Sequence, residues 1–185
     1  LYAWLKQNNY PTTLHRPSCD EFNVDNEDLP IDVEVQNSDA CKRYACVSIT
    51  DCEVKESPAW LQNKLRVIGL RPINNIVDIT NYVMMAYGQP MHCFDADMVK
   101  GHKIVVRTQA DGTKFVTLDG EEHTLSDRDL SICNAEEPMC IAGVFGGKGS
   151  GTYDTTRNVV LESAVFHPTW IRKSARRHGL STDSS

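Results

Sequence analysis

The sequence predicts an α+β fold, in which mainly antiparallel β-sheets are flanked by helices in layers. Two helical patterns lie between residues 57 and 88, and short strand patterns separated by turn residues occupy much of residues 103–162. Helices followed by runs of strands are typical of this class. The chain has 185 residues, of which 41% are hydrophobic, and this is enough to bury a real core.

The first 28 residues predict a helix followed by an acidic connector. Leu1–Asn8 has the pattern of a helix end with no capping residue before it, and Pro11–Asp28 is polar and without a period. The last residues, Ala175–Ser185, are also polar and include no closing element. We therefore expect a fragment excised from a longer protein, with residues 1–28 as a helix remnant and connector and residues 29–185 as the domain.

Two strands and a helix are predicted next. Apolar and acidic residues alternate over Ile31–Val35, which is typical of a half-buried strand, and Tyr44–Ile49 predicts a second strand. Ser57 as the N-cap, Pro58 at the first position and Gly69 as the stop then predict a helix. Its apolar face would consist of Trp60, Leu61, Leu65 and Ile68.

A second helix is predicted to begin at Ile76, with Asn74 or Asn75 as its cap and Gly88 as its end. Apolar residues at three- and four-residue steps predict one buried stripe on this helix. The stripe consists of Ile76, Ile79, Val83 and Tyr87.

Polar residues interrupt the same helix and follow it. Asp78, Thr80 and Asn81 lie within the helical pattern, and His92 is expected in the turn after it. Local hydrogen bonds to the backbone would explain the three helical residues, and packing in a turn would explain His92. A functional role for these side chains is the alternative.

Short strands are predicted from residue 103 onward, with tight turns at Asp111-Gly112 and Asp119-Gly120. The strands are expected at Lys103–Thr108, Lys114–Leu118, Leu130–Cys133, Met139–Val144 and Val159–Glu162. Pro168 then begins a last helix, which Gly179 stops.

The cysteines argue against a disulfide framework and against a zinc site. There are seven of them at irregular spacing, and no CxxC pair occurs. Free apolar cysteines in a reducing cytoplasm explain them. No run approaches the roughly 20 apolar residues of a membrane span, and the N-terminal residues carry no secretory signal. We expect a cytoplasmic protein without membrane association, metal or bound cofactor.

The net charge of −6 is unevenly distributed. Residues 1–60 hold 11 acidic and 5 basic side chains, whereas the remaining 125 residues hold 14 of each sign. One basic cluster without acids consists of Arg172, Lys173, Arg176 and Arg177. A solvated helix face would explain it, and contact with nucleic-acid phosphates is the alternative. The chain as a whole is too acidic to bind nucleic acid through its overall electrostatic field alone.

Two further features could belong to a binding site. The glycine-rich run Ala142–Gly147 lies between strand patterns and could form a turn or wall a tight pocket with bare backbone. It is not a phosphate loop, because the GxxxxGK[ST] spacing is absent. Glu162 lies in the apolar run Val159–Phe166, where a carboxylate is rarely buried without a partner. It could instead occupy an outward-facing strand position.

These segments resemble the B3/B4 region of the β subunit of bacterial phenylalanyl-tRNA synthetases. The resemblance extends over nearly everything from residue 29 to the end, and it implies a B3/B4-like fold for residues 29–185. The matching segments are Leu29–Val35, Ser57–Asn75, Arg71–Asp95, Ala142–Gly147, Asn158–Phe166 and Ala175–Ser185.

The resemblance implies an editing activity, which hydrolyses tyrosine wrongly attached to the phenylalanine tRNA. In the family the glutamate that matches Glu162 receives the phenol hydroxyl of tyrosine. The implied pocket wall consists of Ala142, Gly143 and Gly146, and of Thr182. Ser184 stands where the family usually has alanine, and this extra hydroxyl could narrow the pocket.

The implied catalytic residues are His92, Thr80 and Asn81. His92 would position the ester and its attacking water or act as a general base, and the neighbouring ribose hydroxyl can assist the hydrolysis. Thr80 and Asn81 match positions beside the terminal adenosine or the ester. The Arg172, Lys173, Arg176 and Arg177 cluster would contact RNA.

The resemblance also implies partners that this chain does not itself contain. The intact enzyme would be an α2β2 assembly that joins phenylalanine to its tRNA with ATP and magnesium. Two other functions stay open. One is a non-catalytic module that binds RNA or a neighbouring subunit. The other is a cysteine hydrolase using Cys93 or Cys140, which is disfavoured because the adjacent His92 and Cys93 would seldom face each other.

Overall fold

The computed structural model describes residues 1–15 and 18–182, and the predicted α+β class is confirmed. The helices are α1 (Tyr2–Gln7), α2 (Ala59–Val67), α3 (Asn75–Tyr87) and α4 (Pro168–His178). The strands are β1 (Asp32–Val35), β2 (Cys41–Ile49), β3 (Met91–Asp95), β4 (Lys103–Thr108), β5 (Lys114–Val116), β6 (Glu122–Thr124), β7 (Leu130–Cys133), β8 (Pro138–Ile141), β9 (Phe145–Gly146) and β10 (Val159–Phe166). Two short 3₁₀ helices, Ala96–Met98 and Lys100–His102, connect β3 to β4.

The strands form three sheets within the described residues. The largest has five strands in the order β1-β4-β7-β8-β9. In this sheet β1 and β4 are parallel, and all other neighbouring strands are antiparallel. The second sheet has the order β2-β10-β3 and is antiparallel throughout. Strands β5 and β6 form a separate hairpin. The prediction of mainly antiparallel sheets is therefore confirmed.

The register of the three-stranded sheet determines which side chains meet. Glu162 on β10 lies opposite His92 of β3 on one side and Cys46 of β2 on the other. Directly opposed side chains share a face, with Cβ atoms about 4.5–5.5 Å apart. The next row on this face pairs Ala164 with Tyr44, because side chains alternate along a strand. A carboxylate and an imidazole are thus neighbours on one sheet face.

The main hydrophobic core lies between the two larger sheets. Its fully buried side chains include Phe94 and Val160 from the three-stranded sheet and Ile104, Val106, Leu130 and Ile132 from the five-stranded sheet. Each such side chain contributes roughly 1.5–3 kcal/mol through removal from water. A second, smaller cluster packs under α4 and includes Phe115, Leu125, Ile141, Val144, Ile171 and Ala175. This packing fixes α4 against the end of the β8–β9 hairpin.

Helix α3 buries Asp78 and Thr80, whereas its predicted apolar stripe is exposed or only partly buried. Asp78 has no exposed surface, whereas Ile79 is 45% and Tyr87 is 59% exposed, and Ile76 and Val83 are only partly buried. The prediction of a buried stripe is therefore wrong. The caps agree with the sequence, because Asn74 accepts from the Val77 backbone and Gly88 ends the helix with a φ of 71°.

Asp78 is buried because two groups outside its helix donate to it. Its carboxylate accepts a hydrogen bond from the Ser57 hydroxyl at 2.5 Å and one from the Ile73 backbone N–H at 2.9 Å. Ser57 is therefore not the N-cap of α2, as the sequence suggested, but a link between α2 and α3. Trp60 and Ile68, expected on the buried face of α2, are exposed. Leu61 and Leu65 are buried as predicted.

Several strands differ from the predicted pattern, and one difference concerns the site. The segment that carries His92 is strand β3 and not a turn, because Met91–Asp95 pairs with β10. Strands β4 and β7 have the predicted bounds, whereas β10 continues four residues further, to Phe166. None of the helices in the described residues is long and apolar enough to cross a membrane.

Candidate functional site

A cavity of about 470 Å³ lies between the three-stranded sheet, the β8–β9 hairpin and the start of α4. This volume is within the range of about 300–1,000 Å³ that is usual for small-molecule sites. The sheet contributes His92 and Glu162 to the walls, the hairpin contributes Gly143 and Gly146, and α4 contributes the exposed Arg172. A buried acid, an imidazole and bare backbone therefore surround one space.

Glu162 is a buried carboxylate, with 5% of its surface exposed. Its Oε2 accepts a hydrogen bond from the Tyr44 hydroxyl at 2.7 Å. Burial raises the pKa of Glu162 to about 7, although the bond from Tyr44 acts in the opposite direction. Among the described residues no other group donates to this carboxylate, so Oε1 is left to accept a hydrogen bond from a ligand in the cavity.

His92 is a neutral imidazole at physiological pH. Burial lowers its pKa to about 4, because the charged form would lose its hydration. The ring lies edge-on to Phe94 with centroids 4.5 Å apart, and Nε2 has no hydrogen-bond partner among the described residues. A neutral ring presents one donor and one acceptor nitrogen. Such a ring can position a water or an ester group, and it can also accept a proton.

Glycine is required in the hairpin because its backbone approaches other elements closely. A Cβ on Gly146 would lie 3.2 Å from the His92 Cε1 and 2.8 Å from the Leu118 Cδ1. Gly143 has a φ of 66°, a left-handed conformation, and a Cβ there would lie 3.2 Å from Phe166. These contacts explain why the wall opposite the three-stranded sheet consists of bare backbone.

Replacing Gly146 with alanine is expected to reduce ligand binding at the cavity by about 10-fold, because the new methyl group displaces His92 or Leu118. Overpacking of this kind costs about 1–3 kcal/mol. Gly151→Ala is the matched control. Its Cβ would also contact Leu118, at 3.3 Å, but would not contact His92. Titration calorimetry with tyrosine would measure the effect. Equal affinities for the two variants would contradict this explanation.

The cavity brings together six residues that the sequence singled out, which are His92, Glu162, Gly143, Gly146, Arg172 and Cys140. Thr182 lies beside it, because its hydroxyl donates to the backbone oxygen of Val144, a wall residue, at 3.3 Å. Ser184 is outside the described residues.

Other predicted site residues lie away from the cavity wall. Ala142 is buried in the main core. The Thr80 hydroxyl donates to the Val77 backbone oxygen within α3 at 2.8 Å, and this is the local bonding that the sequence offered as an alternative. Neither Thr80 nor Asn81 is among the residues that line the cavity.

One member of the basic cluster on α4 is engaged in a structural ion pair. Arg177 forms an ion pair with Asp129, which also accepts from the Ser174 hydroxyl and lies 2.9 Å from the His178 ring. Burial would raise the pKa of Asp129, but these hydrogen bonds lower it below its usual range. Arg177 is thus held by the protein itself. All four members of the cluster are exposed, but Arg172, Lys173 and Arg176 are not engaged in this network.

The cysteines lack the properties of a nucleophile. His92 and Cys93 are consecutive residues of β3, so their side chains point to opposite faces. Burial raises the pKa of Cys93 to about 12 and that of Cys140 well above its usual value. A reactive cysteine requires the thiolate form. Cys140 lines the cavity together with His92, but its thiol stays protonated, and this disfavours the cysteine-hydrolase alternative.

Sequence reasoning missed Tyr44. Its only local signal is an inward position in a strand that alternates between exposed and less exposed residues. Its bond to Glu162 joins residues 118 positions apart, and that distance can be bridged only once the β2–β10 register is known.

These features define an α+β domain with a small-molecule site between a sheet and a glycine-rich hairpin. A family model described as the B3/4 domain matches residues 40–185. The chain therefore belongs to the B3/4 domain family, and the resemblance stated above is confirmed.

The chain is similar over its whole length to phenylalanine–tRNA ligase β subunits. It is 63% identical over 185 residues to that subunit from Bacteroides fragilis and 62% identical to that from Bacteroides thetaiotaomicron. In each case the match covers 100% of this chain and 23% of the relative. The chain thus spans about a quarter of the length of the curated relatives it matches.

One solved structure has the same fold. It is the crystal structure of an N-terminal fragment of the phenylalanyl-tRNA synthetase β subunit from Pyrococcus horikoshii, with a TM-score of 0.55 and 12% identity. The alignment covers 87% of this chain and 52% of that one. At this identity the likeness concerns the fold alone.

The described residues do not include a metal centre of the usual kind. No group of three or more His, Cys, Asp or Glu side chains in residues 1–15 and 18–182 is arranged to hold a metal ion. This part of the chain therefore offers no such set of ligands for the magnesium that the resemblance implies for an intact ligase.

Proposed function

We propose that this chain is an editing module of a phenylalanine–tRNA ligase β subunit, which hydrolyses tyrosine wrongly attached to the phenylalanine tRNA. The observation that carries the proposal is the buried Glu162, which faces a cavity of about 470 Å³ directly beside His92. Membership of the B3/4 family supports the same function.

A carboxylate at this position would select its substrate by a hydroxyl group. A hydrophobic pocket shaped for phenylalanine rejects an analogue with one added hydroxyl by only about 10²-fold. A second site that hydrogen-bonds the hydroxyl has the opposite preference, because phenylalanine would leave a buried polar group unpaired. Glu162 offers its free Oε1 for that bond, and the cavity that it lines has a volume that can hold the ring. Tyrosine would be bound and phenylalanine released.

His92 would act on the ester at the other end of the amino acid. Water adds to the carbonyl carbon, the bond to the ribose oxygen breaks, and the proton from water passes to that oxygen, which leaves tyrosine and free tRNA. The neutral imidazole can hold the water or the ester carbonyl. The ribose hydroxyl next to the ester can carry the proton, so His92 acts by positioning.

The proposal includes the wider assembly that the resemblance implies. The chain would work in the cytoplasm within an α2β2 ligase, together with the α subunit and further β-subunit domains, and ATP and magnesium would serve the synthetic site elsewhere. Arg172 at the cavity wall and the exposed Lys173 and Arg176 on the same helix suit contact with tRNA phosphates.

Replacing His92 with alanine is expected to slow the hydrolysis of tyrosyl-tRNA(Phe) by about 10²-fold, because the water or the ester is then misplaced. Single-turnover deacylation by the assembled ligase would measure it. His15→Ala is the control, because His15 is exposed. An unchanged rate in His92→Ala, with normal phenylalanine attachment, would contradict the proposed role of this residue.

A non-catalytic module that contacts a neighbouring subunit is the second candidate. The exposed apolar side chains of α2 and α3 favour it, including Val67 at 87% and Tyr87 at 59% exposure. If this were the sole function, the wild-type ligase would not hydrolyse tyrosyl-tRNA(Phe), and tyrosine would cause no NMR shift at Gly146.

A further inference from the structure

Tyr44 lies behind the selecting carboxylate and not in the cavity wall. It projects from β2 on the same sheet face as Glu162, in the neighbouring row opposite Ala164. Its hydroxyl donates to the Glu162 Oε2 at 2.7 Å. Its ring packs against the main core, and it is not among the residues that line the cavity. The phenol therefore approaches Glu162 from the side of the main core, and Tyr44 does not line the cavity.

We infer that Tyr44 is a positioning residue for tyrosine selection: it occupies one oxygen of Glu162 so that the other is turned to the cavity to accept the phenol of the substrate. This inference rests on the proposed editing function. It assigns two phenols to one carboxylate, one from the protein and one from the ligand.

The chemistry of a carboxylate allows this arrangement. Its two oxygens offer about four lone-pair sites, so it can accept from both phenols. Rotation of the carboxylate away from the cavity would break the bond from Tyr44, and that bond therefore fixes its orientation. Burial and the nearby Glu162 raise the pKa of Tyr44, so its hydroxyl keeps its proton and remains a donor.

Tyr44 also favours the ionised form of Glu162, which can only accept hydrogen bonds. The bond from Tyr44 lowers the pKa of Glu162 against the larger effect of burial. The other titratable side chains near Glu162 are uncharged at neutral pH, because burial lowers the pKa of His92 and raises that of each thiol. These side chains are Cys41 and Cys46 on β2, His92 on β3 and Cys140 on β8. Arg172 is a positively charged residue of the cavity wall.

The test is Tyr44→Phe in the assembled ligase, which removes one hydroxyl and keeps the ring in the core. We expect kcat/KM for tyrosyl-tRNA(Phe) to fall by about 10-fold, mainly through KM, because a hydrogen bond to a charged acceptor is lost or misdirected. The value for phenylalanyl-tRNA(Phe) should change by less than about twofold. The pH at which tyrosine affinity is half-maximal should rise, since Glu162 is then more easily protonated.

Two controls separate positioning from a general structural effect. Tyr87→Phe removes an exposed phenol from α3 and should leave both substrates unaffected. In a Glu162→Ala background, Tyr44→Phe should no longer change the ratio of the kcat/KM values for tyrosyl- and phenylalanyl-tRNA(Phe), because the effect of Tyr44 is transmitted through Glu162.

The outcomes distinguish this inference from the proposed function. If the wild-type ligase hydrolyses tyrosyl-tRNA(Phe) and Glu162→Ala loses the preference, an unchanged substrate ratio in Tyr44→Phe overturns the role of Tyr44 alone. If the wild type shows no such hydrolysis, both fail. Should Tyr44→Phe not fold, a structure of the wild-type ligase with tyrosine decides. Tyrosine on Glu162 with Tyr44 still bonded supports the inference, and a displaced Tyr44 overturns it.

Discussion

Replacing Glu162 with alanine is expected to reduce the preference for tyrosyl over phenylalanyl ester by about 10²- to 10⁴-fold. A site built to hydrogen-bond a substrate hydroxyl rejects the analogue without it by about 10⁴-fold or more, because the buried acceptor would be left unpaired. Glu162 is that acceptor, being 5% exposed and bonded otherwise to Tyr44. The variant loses the bond to tyrosine and also the penalty against phenylalanine. The ratio of kcat/KM values for the two charged tRNAs measures the effect.

Two further variants make this measurement specific to the carboxylate. Glu162→Gln keeps an acceptor oxygen and should retain part of the preference, since a neutral acceptor forms a weaker bond than a charged one. Glu121→Ala removes an exposed acid and should leave the ratio unchanged. If Glu162→Ala hydrolysed both esters in the wild-type ratio, the phenol would have to be recognised elsewhere.

The second large effect concerns the dependence of stability on pH. The pKa of Glu162 is about 7 in the folded protein against an ordinary 4.5, so the folded state binds a proton more tightly than the unfolded state. Its contribution to the free energy of unfolding is therefore fully present below pH 4.5 and is lost as the pH rises through 7. The loss amounts to about 3 kcal/mol. Glutamine does not titrate, so Glu162→Gln lacks this pH-dependent contribution. As the pH rises from 4.5 to 8, the free energy of unfolding of this variant should increase by about 3 kcal/mol relative to that of the wild type.

Hydrogen exchange of β10 peptides in the full protein, corrected for the intrinsic effect of pH, can measure this difference. The comparison of two variants is necessary because His92 acts in the opposite direction. Its pKa falls to about 4 from 6.5 on folding, so its contribution is present above pH 6.5 and is lost as the pH falls through 4. His92 is common to both proteins. If the difference in the free energy of unfolding between the wild type and Glu162→Gln stayed constant with pH, the raised pKa of Glu162 would be contradicted.

Local signals in the sequence predict the elements that are stabilised by their own residues. Asn74 caps α3, Gly179 ends α4 with a φ of 66°, and β4 and β7 have the bounds that their apolar patterns indicate. Each of these features depends on residues a few positions apart. A single sequence contains that information directly.

Features that depend on distant partners were not predictable in this way. Strand β3 exists because β10 pairs with it, and its own residues show no alternation. The inward face of α3 is set by Ser57 and Ile73, which donate to Asp78 from outside the helix. The approach of Glu162 to His92 and Tyr44 likewise follows from strand register. The family resemblance pointed to Glu162 and His92, whereas no signal in the sequence singled out Tyr44.

The alignment of β10 with its two neighbours has an evolutionary consequence. Moving a strand by one position turns every side chain to the opposite side of its sheet. A single inserted or deleted codon between Val159 and Glu162 would thus carry the acid away from its histidine and tyrosine at once. Point replacements can adjust this family of sites gradually, but changes in length within the strand cannot. We expect descendants of this gene to vary in length in the surrounding loops and to keep the spacing along β10.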